Sequence, residues 1–114
     1  MELKKNNDLA EAWDSITQEV IEFKKPDLAE LKRLFNETYE LVEEYSRAGS
    51  IPKGVYKVLL EMHDFGWWVG DLDDTPIHYL YREIIDIMYD LEKYFLTRDA
   101  DIETVKETIE KISS

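Results

Sequence analysis

Apolar side chains recur along this chain at alternating spacings of three and four, with four interruptions. Leu9, Trp13, Ile16, Val20 and Phe23 form one series, and Leu28, Leu31, Phe35, Thr38, Val42 and Tyr45 a second. A third runs through Val55, Leu59, Met62, Phe65 (or Gly66) and Val69. A fourth runs through Ile77, Leu80, Ile84, Ile87, Leu91 and Tyr94, and a fifth through Ile102, Val105, Ile109 and Ile112. Each series is one stripe of an amphipathic helix. The sustained period-two alternation of a strand occurs nowhere.

The breaks carry fitting residues. DLAE stands at 8–11 and again at 27–30, each time with Asp at an N-cap and Glu three residues later, as in a capping box. The flanking residues do not repeat, so these are two helix starts and not a duplication. Pro26, the run Gly49-Ser50-Ile51-Pro52, the segment Gly70 to Pro76 and TRDAD at 97–101 mark the other boundaries. The spacing predicts five helices at 8–24, 27–48, 53–69, 76–96 and 101–112, with residues 1–7 frayed. The expected fold is all-α: one domain, 1–114, built as an antiparallel bundle of four long helices plus a short C-terminal helix.

Projection at 100° per residue separates a core side from an outer side on each helix. On the fourth helix, Ile77, Leu80, Ile84, Ile87, Met88, Leu91 and Phe95 face inward. Tyr79, Glu83, Asp86 and Asp90 line up outside at i, i+4, i+7 and i+11, with Tyr89 and Arg82 beside them. On the third helix, Trp67 falls with Tyr56, Leu60 and His63 on a flank that is still mostly apolar, and is expected in the core or at its edge. Trp68 falls with Glu61 and Asp64, furthest from the core, and is expected at the surface as a binding anchor. Burial of Trp68 under the fifth helix or the 70–76 segment is the alternative.

Charge changes the picture more than composition does. The 114 residues are 44% hydrophobic and 12% aromatic, enough for an ordinary single core. No apolar run approaches the ~20 residues of a membrane span, and the opening MELKKNNDLAE lacks the apolar stretch of a secretory signal. With no cysteine, disulfides and thiolate chemistry are excluded, and a cytoplasmic protein is expected. The net charge of −12 repels nucleic acid and anionic lipid and steers a basic partner inward. Between Lys57 and Arg82 no lysine or arginine occurs, while Glu61, Asp64, Asp71, Asp73 and Asp74 do. Such carboxylates repel one another, and an external cation or basic surface would relieve them. A second acidic run, Glu37, Glu40, Glu43 and Glu44, lies between Arg33 and Arg47.

Small size, strong acidity, helical organisation and tyrosines interleaved with acids (HYLYREIIDIMYD, 78–90) resemble the bacterial immunity proteins. The Trp–Asp stretch DFGWWVGDLDDTP at 64–76 adds to the resemblance. These are acidic helical inhibitors of colicin-type or contact-delivered nuclease toxins. The resemblance implies a basic nuclease-toxin domain as partner, occluded near its active site, with acidic side chains standing in for nucleic-acid phosphates. The candidate partner-binding residues are Glu61, Asp64, Trp68, Asp71, Asp73, Asp74, Tyr79, Glu83, Asp86, Tyr89 and Asp90. No nucleic acid, membrane, cofactor, metal or catalytic residue is expected, and the free chain would be a monomer or homodimer. A phage-type inhibitor that mimics nucleic acid shares this physics with a different target.

An enzymatic alternative is also specific. ETYE (37–40) or ELVE (40–43), followed by EIID (83–86), resembles the ExxE…ExxD pattern of all-α nucleoside-triphosphate pyrophosphatases of the MazG and dimeric dUTPase type. In that family paired carboxylates one turn apart hold Mg²⁺ against a triphosphate. A whole intervening helix and the lack of a basic cluster count against it. His63 and His78 are the only histidines; HD at 63–64 is similar to a metal-phosphohydrolase dyad, without the further histidines such a site needs. His63 is expected to be a helix-flank residue bonded locally.

Overall fold

In a computed structural model of the chain, the structure describes residues 2–22, 27–46, 53–70, 78–97 and 101–112, with side chains for 5–22, 27–45, 53–69, 85–95 and 101–112. The described residues form five helices and no strand: α1 (Glu2–Ile21), α2 (Leu28–Ser46), α3 (Lys53–Gly70), α4 (His78–Thr97) and α5 (Ile102–Glu110). The protein is all-α, with four long helices and a short C-terminal one, as the periodicity predicts.

One start differs. α1 begins at Glu2, ahead of the expected residue 8, so the first DLAE lies inside the helix and not at its cap. The buried stripe extends back to Asn6, a polar residue that apolar periodicity overlooks. The second DLAE does cap. Asp27 Oδ1 accepts a hydrogen bond from Ala29 N at 3.0 Å, and Leu31 N donates to the Asp27 carbonyl at 2.9 Å. Its Glu30 does not close the box; it pairs with Arg33 at 2.6 Å, and Arg33 also reaches Glu37 at 2.6 Å. At α5, Asp101 is the N-cap, accepting from Glu103 N at 3.2 Å and Thr104 N at 3.4 Å.

Trp13 organises the core. Fully buried, it meets Phe35 of α2 edge-on at 4.9 Å between ring centroids and Phe65 of α3 at 5.4 Å. Its indole Nε1 donates to Thr38 Oγ1 at 3.0 Å, and that hydroxyl donates to the Leu34 carbonyl at 2.8 Å. The polar atom of the largest core side chain is thereby satisfied, as burial requires.

α3 lies between α1 and α4, and α2 lies against α4, α5 and α1. α1 packs most extensively on α3, not on its sequence neighbour α2. Ala10 and Thr17, small and buried, share a side of α1 with Asp14, whose charge reaches Glu61 of α3. Small side chains there let the two helices approach closely. On its other side α3 offers Gly66 to α4: a Cβ at this position would run into Sδ and Cε of buried Met88. α5 buries Ile102, Val105 and Ile109, Ile112 just past its end is also buried, and Lys32 Nζ of α2 donates to the Glu110 carbonyl at 2.9 Å.

Candidate protein-binding face

With α1 on one side and α4 on the other, α3 keeps an open outer sector. Four residues share one edge of it, Tyr56, Leu60, His63 and Trp67, spaced i, i+4, i+7 and i+11. Trp67 is 71% exposed, Leu60 68% and Tyr56 42%. This corrects the sequence expectation, which placed Trp67 in or beside the core. The physical reason is the course of α4, which covers the Gly66 side of α3 and reaches Tyr56 and His63 but leaves Leu60 and Trp67 in water. Trp68 is on the surface as expected, 36% exposed, two helical turns along from Glu61 on the same flank of α3.

α4 completes the face with Tyr89, 57% exposed. The strip is held in place from beneath. Tyr56 stands edge-on to buried Phe95 at 5.9 Å, and the His63 ring stands edge-on to Tyr89 at 6.5 Å. His63 Nδ1 lies 3.0 Å from Glu92 Oε1. The expected local bond of His63 is therefore a bond between helices, 29 residues apart in sequence. Tyr56, Leu59, Leu60, His63 and Glu92 line a shallow, mostly apolar groove along the α3–α4 seam.

Of the remaining predicted site residues, Asp64, Asp86 and Asp90 are exposed and Glu61 is partly so. Asp86, Tyr89 and Asp90 lie on the outer side of α4, matching the projected stripe. Tyr79 and Glu83 belong to α4, but their side chains, and all of Asp71, Asp73 and Asp74, lie outside the described residues. Sequence reasoning missed Trp67, Leu60, Tyr56 and Glu92 as surface groups. A signal existed: α3 carries two apolar stripes, and one core-facing helix can bury only one.

Acid–acid repulsion is present in the folded state. Burial, then the charges of Asp14 and Asp64, hold the Glu61 carboxyl above its ordinary pKa, against the opposing pull of Lys57. The acids of α2 are partly engaged instead. Glu37 pairs with Arg33. Burial, followed by its hydrogen bond to Glu43, pushes the Tyr39 phenol well above its usual range. Among the described residues no three histidine or carboxylate side chains are placed to hold a metal ion. The α2 acids and Asp86 thus form no such cluster, and the Glu83 side chain lies outside that test. Among the same residues no helix is long and apolar enough to cross a membrane. No family model, no curated protein and no solved structure matches this chain.

Proposed function

We propose that this chain is an acidic protein-binding inhibitor that takes hold of a basic protein partner through the outer face of α3 and α4. The observation that carries the reading is Trp67, a large aromatic left 71% exposed in a stretch with five acids and no lysine or arginine from 58 to 81. An exposed, supported aromatic strip in acidic surroundings has the make-up of an interface: anchors to be desolvated, and charges to steer. Glu61 supports it further, since a carboxylate repelled by Asp14 and Asp64 gains when a cation arrives. The best-fitting role is that of an immunity-type protein acting in the bacterial cytoplasm on a nuclease-type toxin. The fit rests on charge, size and helical plan.

The test begins by screening basic proteins encoded near this chain's gene for binding, and a protein that binds is immobilised for kinetics. Trp67→Ala should weaken the complex by ~2 kcal/mol or more, mainly through faster dissociation, as for a desolvated anchor. Its melting temperature should stay within roughly 3 °C of the parent, because little of the ring is buried. Neutralising Asp71, Asp73 and Asp74 together should instead slow association and flatten its salt dependence. Unchanged affinity on losing Trp67 would remove the basis of this reading.

A further inference from the structure

The face on α3 is a ridge-and-groove surface of helical period, and that narrows what can lie on it. We infer that the occupant is a cationic amphipathic α-helix of the partner, laid along the α3–α4 seam; this rests on the basic-partner reading above. Tyr56, Leu60, His63 and Trp67 follow one another every three or four residues, over about 16 Å of helix axis. Apolar side chains at i, i+3 or i+4, and i+7 of an incoming helix match that spacing by ridges-into-grooves packing. The described residues contain no strand, so they offer no sheet edge for an extended peptide.

Charge selects the sign of the incoming helix. Glu92 forms the polar edge of the groove, 3.0 Å from His63. Asp64 on α3 and Asp86 and Asp90 on α4 are exposed to either side. Lysine or arginine at the margins of the docked helix would meet these carboxylates while its apolar face covers Leu60 and Trp67. A second copy of this chain is disfavoured by the same physics, because each copy carries a net charge of −12. The strip needs little reordering on binding. Tyr56 is already propped against Phe95 and Tyr89 against His63, which lowers the entropic cost of association.

The experiment uses the full chain and synthetic Leu/Lys peptides of about 18 residues, roughly 27 Å as a helix. One peptide has a single apolar face, and the other has the same composition scrambled so that no face forms. Affinity is read by tryptophan fluorescence and contact by backbone amide shifts. The faced peptide should bind about tenfold tighter than the scrambled one or better, with shifts concentrated on 56–67 and 85–93. Leu60→Glu should weaken it about tenfold or more, equivalent to ~1.4 kcal/mol. That variant is discriminating because it adds a negative charge, which would tighten any contact made by charge alone. Trp67→Ser supplies a second variant at an exposed position. Equal binding of both peptides, with no weakening by Leu60→Glu, overturns the helix proposal and leaves the basic-partner reading standing. No binding of either peptide at low ionic strength overturns both. A free chain that is dimeric, and becomes monomeric in Leu60→Glu, assigns the face to a second copy and overturns the helix proposal.

Discussion

Replacing Thr38 with valine tests the polar contact at the centre of the core. Thr38 and Trp13 are both fully buried, and the Thr38 hydroxyl accepts the Trp13 Nε1 hydrogen at 3.0 Å. Valine has the same shape, so the variant creates no cavity; it removes the acceptor and leaves an indole N–H buried without a partner. The Leu34 carbonyl, which also received the hydroxyl hydrogen at 2.8 Å, keeps its place in the α2 ladder. The cost is therefore the desolvation of one donor, about 1–3 kcal/mol. Taking ~2 kcal/mol and on the order of 4 °C per kcal/mol for a chain of this size, the melting temperature should fall by roughly 8 °C. Urea unfolding followed by circular dichroism gives the free energy directly. Trp13→Phe supplies the control: it has its own cost in lost indole volume, but it removes the donor. In that background Thr38→Val should cost little, giving a coupling energy of ~1–2 kcal/mol in the double-mutant cycle. An equal cost of Thr38→Val with and without the indole would show that the hydroxyl does not serve Trp13.

Two further predictions follow from charge. Glu61→Gln should raise the melting temperature at pH 7, because the folded-state carboxyl is held above its ordinary pKa by burial and by Asp14 and Asp64. The sign follows from linkage: only the ionised form is penalised in the fold, so the gain should vanish below about pH 4, where the group is protonated in both states. A lower melting temperature at pH 7 would mean that Glu61 has a favourable partner. Asp101→Ala should speed amide exchange across Ile102–Glu110, since Asp101 caps α5 and accepts the Thr104 hydroxyl at 2.8 Å. The Thr104 hydroxyl hydrogen bond holds this carboxyl below its ordinary pKa. Its contribution is therefore present at neutral pH and should fade only as pH falls through that lowered value, with the two proteins converging in acid.

Helix number, helix order and the main buried stripe of each helix were legible because they depend on local periodicity. Thr38 shows both sides. Its place on the α2 stripe follows from spacing, whereas its partner Trp13, 25 residues away, does not. Apolar spacing places the start of α1 too late because a polar residue, Asn6, continues the buried stripe. The two adjacent tryptophans mark the limit most clearly. Periodicity sets Trp67 and Trp68 about 100° apart, on opposite edges of the outer sector of α3. It does not say which edge a neighbouring helix will cover. Spacing alone therefore settled that α3 carries a second apolar stripe. Only tertiary packing decided that α1 meets the Glu61 side of α3, that α4 packs over Gly66 with Met88, and that Trp67 is left in water, because coverage depends on contacts between segments far apart in the chain.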